Sequence, residues 1–162
     1  AEGWEVTPIF SENAYSTDTR FGRAREWVDT LESLTGNKCI HNLVQAEPIG
    51  PQKLLDLILI APCTGNTLAK LAYGITDTCV TMSAKSHLRN GGPVLVAVST
   101  NDALGGSAKN IGMLLNYRNL YFVPMKQDSP DIKPRSVVSD FSRIPKAAGA
   151  ALEGKQLQPI FL

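Results

Sequence analysis

Two short polar clusters in this sequence each follow an apolar run, and each carries groups able to bind or polarise a ligand. The first is Pro62-Cys63-Thr64-Gly65-Asn66-Thr67, after residues 54–61, an apolar run that only Asp56 interrupts. The second is Ser99-Thr100-Asn101-Asp102, after residues 94–98. Their hydroxyls and amides donate and accept hydrogen bonds, Gly65 permits close backbone approach, and Asp102 is a candidate proton acceptor. After the first cluster Leu68, Leu71, Ala72 and Ile75 recur at helical spacing and Gly74 supplies a stop, so the stretch reads as strand, loop, helix. In an open parallel sheet ligands bind at the carboxyl ends of strands, where helix N-termini offer free N–H groups. The plainer roles are helix capping by Thr64 or Asn66, and a cap or solvated loop acid at Asp102.

The elements that must position these clusters follow from periodicity. Residues 54–61 predict a strand buried on both faces, and residues 94–98 and 120–123 predict two more. Short strands are predicted at 4–10 and 78–82, and an edge segment at 38–44. Helices are predicted at 24–34, with Trp27, Val28, Leu31 and Leu34 on one face, at 83–89 and 108–116, and within 137–152, starting near Ser139 or Pro145. Residues 11–22, 45–53 and 127–135 read as loops. Residues 157–162 read as a packing or subunit-contact tail. Residues 1–3 read as the end of a helix, with Gly3 suited to its C′ position. A strand, loop and helix are normally expected before such a point, so the natural N-terminus is expected to be missing. The alternation predicts one α/β domain over 1–162: a doubly wound, mainly parallel sheet in a Rossmann or flavodoxin-like three-layer sandwich.

The bulk numbers exclude several classes. A length of 162 residues with 43% hydrophobic and 19% charged residues suits one soluble globular domain. The net charge of +1 gives no electrostatic reason to expect nucleic acid or an anionic membrane. No apolar run approaches the roughly 20 residues that span a bilayer. Three cysteines, Cys39, Cys63 and Cys79, without CxxC spacing argue against a zinc site or disulfide framework. Two histidines, His41 and His87, cannot build a multi-histidine metal centre, so no metal is expected.

APCTGNTLAKLAYGITD, residues 61–77, resembles the PASANT-type motif and following helix of the flavin mononucleotide-binding cysteine decarboxylase superfamily, with Leu68, Ala69, Lys70, Ala72, Gly74 and Asp77 fitting the pattern. Ser99-Thr100-Asn101-Asp102 takes the place of the family's PAMN-like motif, with Asn101 on its asparagine. Residues scattered over the chain, among them STNDALG at 99–105 and QLQPI at 156–160, are similar to one branch of that superfamily, the B-type subunits of a two-subunit synthase in spore-forming bacteria.

The resemblance implies a flavin (FMN) cofactor, a homo-oligomer, and an A-type partner carrying NAD(P). It implies oxidation of a dihydropyridine dicarboxylate to pyridine-2,6-dicarboxylate in the mother-cell cytoplasm during sporulation. It leaves open a flavin-free supporting role, or a decarboxylase or prenyltransferase of the wider superfamily. Ser11, Pro62, Thr64, Gly65, Asn66, Thr67, Ser99 and Thr100 are the expected cofactor contacts, and Asn101 and Asp102 the expected catalytic pair. A dicarboxylate substrate calls for cations, and arginine grips carboxylates with paired hydrogen bonds. Arg20 and the Lys133–Ser136 turn, with Arg135, are the expected substrate contacts. Two departures stand out. The family's first strand and phosphate loop have no counterpart, and Glu47 falls near the place of the decarboxylases' catalytic histidine, with His41 several residues too early. Thiol oxidation with decarboxylation is therefore disfavoured. Cys63 reads as a packing residue, and His87 as a surface residue near a helix C-terminus.

Overall fold

The strand β2 (Val94–Thr100) runs through the middle of the sheet because its first five residues are apolar and both of its faces are covered. This computed structural model describes residues 3–162, so the reading of Ala1 and Glu2 lies outside the described residues. Gly3 has φ +78°, in the left-handed region. On one side β2 pairs in parallel with β1 (Ile58–Cys63), Ile58 opposite Val94 and Ile60 opposite Val96. On the other it pairs in parallel with β3 (Leu120–Phe122), Val94 opposite Leu120. Its last two residues then pair antiparallel with β5 (Val137–Ser139), which pairs with β4 (Met125–Gln127). The sheet is thus parallel at its centre with an antiparallel hairpin at one end.

Alternate residues of β2 feed two apolar layers, as the strand's period of two requires. Val94, Val96 and Val98 pack with Leu68, Leu71, Ala84, Ile111 and Leu114, from α4 (Gly65–Tyr73), α5 (Cys79–Arg89) and α6 (Ala108–Leu114). Leu95 and Ala97 pack with Val123 and with Ala147 and Ala148 of α7 (Ile144–Leu152). Helices on both faces of a mainly parallel sheet make the three-layer α/β architecture. The tail joins it: Met125 and Phe161 form a bridge, and Gln156 hydrogen-bonds both the N–H and the carbonyl of Phe122, standing in for a missing strand neighbour.

Several sequence expectations are corrected. β1 is not buried on both faces, since Leu59 is 41% exposed and burial alternates along the first part of the strand. It continues past residue 61 to Cys63, with an irregularity in the ladder where Pro62 has no N–H to give. Residues 4–10 form no strand beyond a single bridge between Ile9 and Ile40. The loop expected at 11–22 contains α1 (Glu12–Ser16), and that at 45–53 begins with α3 (Leu43–Ala46) and a 3₁₀ turn, Glu47–Ile49. The strand expected at 78–82 is the first turn of α5. Thr78 and Thr81 form a reciprocal cap there, which outweighs the β propensity of threonine and valine. Of the two short strands the sequence did not show, β4 reaches the 127–135 loop only with Gln127, and β5 takes up the start of the 137–152 stretch, whose helix forms at Ile144–Leu152. α2 (Ala24–Thr35) forms as expected, but of its predicted apolar face only Val28 is buried, while Trp27 and Leu34 stay exposed.

His87 is not a surface residue. It is 5% exposed, its Nε2 has no partner, and its imidazole lies so close to Gly92 that a Cβ there would run into the ring. Burial holds its pKa below the ordinary value near 6.5. The neutral form is therefore the folded form, and the unfolded chain takes up the proton first as pH falls. Stability is complete above the unfolded pKa and declines as pH drops below it. The urea midpoint of the wild type is expected to fall between pH 7.5 and pH 5.5, and His87→Gln is expected to flatten that fall. Equal slopes in both proteins would assign the acid sensitivity to other groups.

Candidate ligand site at the strand ends

Parallel pairing brings the ends of β1 and β2 side by side, and with them both polar clusters. α4 opens directly after β1. Thr64 occupies its N-cap position but makes no side-chain capping bond, so the first-turn N–H groups are not capped by it. Neither Thr64 nor Asn66 performs the capping role weighed from the sequence. Thr64, Asn66 and Thr67 make no side-chain hydrogen bonds among the described residues and sit at the amino end of the helix dipole.

The second cluster is bound up with itself. Thr100 Oγ1 donates to Asp102 Oδ1 at 2.6 Å, and Ser107 Oγ donates to the same oxygen at 2.9 Å. These bonds, Thr100 first and Ser107 second, hold the Asp102 carboxyl below the usual carboxylate range. The Asp102 carbonyl accepts from the N–H groups of Gly105 and Ser107, which turns the chain into α6. Gly65 is what joins the clusters. A Cβ there would lie 2.8 Å from Ser107 Oγ and 2.9 Å from both Asp102 Oδ1 and Thr100 Oγ1. Only glycine lets the start of α4 come this close. Thr100 and Ser99 prove to be strand residues, paired with Val137 and Val138, so their backbones are already engaged.

The 127–136 segment closes over the same edge. Leu104 N–H donates to the Arg135 carbonyl at 3.0 Å, and the Arg135 side chain lies 3.3 Å from where a Cβ on Gly105 would be. Ser136 Oγ donates to Asn101 Oδ1 at 3.3 Å. Asp128 is held below the usual range, first by a hydrogen bond from Ser136, and pairs with Lys133 at 3.7 Å. The structure therefore brings Asn101, Lys133, Arg135 and Ser136 together. Arg20 makes no contact with them in the hydrogen bonds and ion pairs of the described residues, and its guanidinium lies 4.7 Å from the centre of the Phe21 ring. Ser11 caps α1 by accepting from Ala14 N–H at 3.2 Å. Cys63 is fully buried with its pKa pushed up to about 12 by burial, so it is no nucleophile.

Sequence reasoning missed Ser107, although a hydroxyl five residues beyond Asp102 and just before an apolar helix was a usable signal. It also missed the stacking of Tyr15 on His41, ring centroids 3.9 Å apart, which no spacing rule would reveal. No cluster suited to a metal ion occurs among the described residues.

A parallel sheet with polar strand ends and an uncapped helix N-terminus defines a nucleotide- or flavin-type α/β fold, and the Flavoprotein family model matches residues 2–126. The chain belongs to the flavoprotein family. Within it, the chain is 46% identical over 161 residues to the B subunit of dipicolinate synthase from Bacillus subtilis (strain 168), covering 99% of this chain and 80% of that protein. The crystal structure of the corresponding B subunit from Bacillus halodurans C superposes with a TM-score of 0.89 at 44% identity, over 98% of this chain and 81% of that one. Burkholderia xenovorans DmrB in complex with FMN shares the fold alone, with TM-score 0.65 and 19% identity over 91% of this chain and 81% of that one.

Gly65→Ala tests the contact that unites the site. The added methyl displaces two hydroxyls and a carboxylate, and is expected to destabilise the fold by about 1–3 kcal/mol. Urea denaturation measures this. A change near zero would mean that the two strand ends separate without cost.

Proposed function

We propose that this chain acts as the B subunit of a dipicolinate synthase, together with the A subunit of that synthase, which carries NAD(P). The reaction is oxidation of a dihydrodipicolinate-type intermediate to pyridine-2,6-dicarboxylate during sporulation, in the mother-cell cytoplasm. The observation that carries the reading is the set of uncommitted donors at Thr64, Asn66 and Thr67, beside a loop that gathers Asn101 with Lys133 and Arg135. The similarity to the B subunits of dipicolinate synthases supports the reading.

The residues suit FMN as a bound cofactor in one respect and limit it in another. Thr64, Gly65, Asn66 and Thr67 offer hydroxyl, amide and backbone groups to the polar edge of a flavin. The Asp102 carboxylate beside Gly65 disfavours its phosphate at that point, because like charges repel. Thr100 is already committed to Asp102, so Ser99 and Pro62 are the remaining neighbours on the strands. FMN, when bound, supplies a hydride acceptor. The chain's own part is to orient: Asn101 and Ser136 hold a substrate carboxylate through hydrogen bonds, and Arg135 and Lys133 neutralise its charge. We assign Asp102 to holding the loop rather than to accepting a proton, because its carboxylate is stabilised as the anion and is a weaker base for it. Ser11 caps α1, and its place in a cofactor site rests on the family alone. Residues 1–162 act as one flavoprotein-like unit. A homo-oligomer is supported by the exposed apolar side chains Trp27 and Leu34 on α2, which are 50% and 76% exposed.

A flavin-free role is the second reading, favoured by the committed state of Thr100 and Asp102. The visible spectrum of the purified protein with FMN added separates them. A flavin band that persists through gel filtration is expected. Asn66→Ala is expected to weaken FMN binding about threefold to tenfold, the worth of one hydrogen bond. Absence of any uptake assigns Thr64–Thr67 to substrate or partner contact. Asp102→Asn is expected to keep most of the turnover measured with the A subunit present. A loss of about a hundredfold with unchanged FMN affinity would restore Asp102 as the proton acceptor.

A further inference from the structure

The far ends of α4 and α6 frame a cavity of about 480 Å³ that the strand-end site does not use. That volume lies within the range of small-molecule sites. Its apolar surface comes from Leu71, Ile75, Leu88 and Tyr117. Tyr117 is fixed in place, because its hydroxyl donates to the Ala72 carbonyl at 2.8 Å and ties the chain after α6 to α4. Four cations line the cavity, Lys70, Lys85, Arg89 and Arg118, and no carboxylate does.

The distribution of charge is the unusual feature. The whole chain is nearly balanced, with 16 basic and 15 acidic residues. Here the cations are gathered, and only Lys70 has an ion pair among the described residues, with Asp77 at 2.8 Å. Arg89 lies in the last turn of α5, where it also answers the negative end of the helix dipole. Lys85 sits further back on that helix, and Arg118 beyond the end of α6, and neither forms an ion pair among the described residues. Lys85 and Arg89 belong to α5 and Arg118 to the segment after α6, while the apolar Leu71 and Ile75 come from α4 and the residues after it. A ligand that matches has a flat apolar body and an acid group at each end.

The geometry points to a second ligand site in this groove, for a small aromatic dicarboxylate. It uses no residue of the strand-end site, so it stands whether or not that site holds flavin. It also has a route to that site. The carboxyl-terminal part of α4 and the residues that follow α6 both line the groove, and the amino ends of the two helices meet at Gly65, Asp102 and Ser107. A ligand that draws the two helix ends together at the groove biases the contact at the other end.

Isothermal titration calorimetry with isophthalate, and with uncharged isophthalamide as its match in shape, tests the proposal. In the Arg135→Gln variant, whose strand-end dicarboxylate contact is weakened, isophthalate is expected to bind one to one, with affinity falling as salt is raised, while isophthalamide gives no saturable heat. The double variant Lys85→Gln/Arg118→Gln, changed only at exposed positions, is expected to weaken isophthalate about tenfold or more. Adding Asn66→Ala to the Arg135→Gln protein is expected to leave this affinity unchanged. No saturable binding, or affinity that survives the double variant, overturns the site. Loss of binding in Arg135→Gln overturns it too, since it would move the ligand to the strand ends. If isophthalate fails to bind while the double variant loses association with the A subunit, the groove is a protein contact and the small-ligand assignment falls.

Discussion

The close approach of Gly65 to the Thr100–Asp102–Ser107 cluster is the constraint on which the working edge of this protein depends. One carboxylate oxygen accepts from two hydroxyls on either side of a turn, and the first residue of a neighbouring helix is pressed against all three groups. β1 and β2 lie side by side because their apolar residues share one core. That pairing would bring α4 near α6 in any case. What Gly65 adds is contact at the level of atoms, so that two strand–helix junctions behave as one rigid piece.

This rigidity divides the polar residues into two kinds. Thr100, Asp102 and Ser107 satisfy one another and hold shape. Thr64, Asn66 and Thr67 make no side-chain hydrogen bond among the described residues. The distinction is physical, because a polar group already paired gains little from a ligand and loses its partner on the way. The 127–136 segment adds a third kind. Its contacts with the edge run through one backbone bond, from Leu104 to Arg135, and one long side-chain bond, from Ser136 to Asn101.

Much of the architecture was legible in the residues. The run VLVAV at 94–98, the spacing of Leu68, Leu71 and Ala72, and the glycine at 74 each obey a local rule, and local rules do not need the rest of the chain. The motif at 61–77 reached further, because strand, loop and helix are adjacent in sequence as well as in space. The parts that stayed hidden are those decided at a distance. The reciprocal cap of Thr78 and Thr81 turns a β-prone stretch helical, and β4 and β5 exist only because the end of β2 is there to pair with. His87 reads as a surface residue beside a helix end, and only the packing of Gly92 against its ring shows otherwise. At the site, residue types announced a polar edge, but which hydroxyl is spent and which is spare depends on geometry that no spacing encodes.

The burial of all three thiols has a further use. Cys63 ends β1, Cys79 opens α5 and Cys39 lies in the chain after α2, all of them buried, and Cys79 is tied to the Phe10 carbonyl at 2.6 Å. A buried thiol reacts with an alkylating reagent only when the structure around it opens. Each cysteine is thus a chemical clock for its own neighbourhood: Cys63 for the parting of β1 from α4, Cys79 for the lifting of the 9–11 segment off α5, Cys39 for the release of the chain after α2. The order in which they become labelled would map the sequence of local openings in the native protein, with no probe introduced.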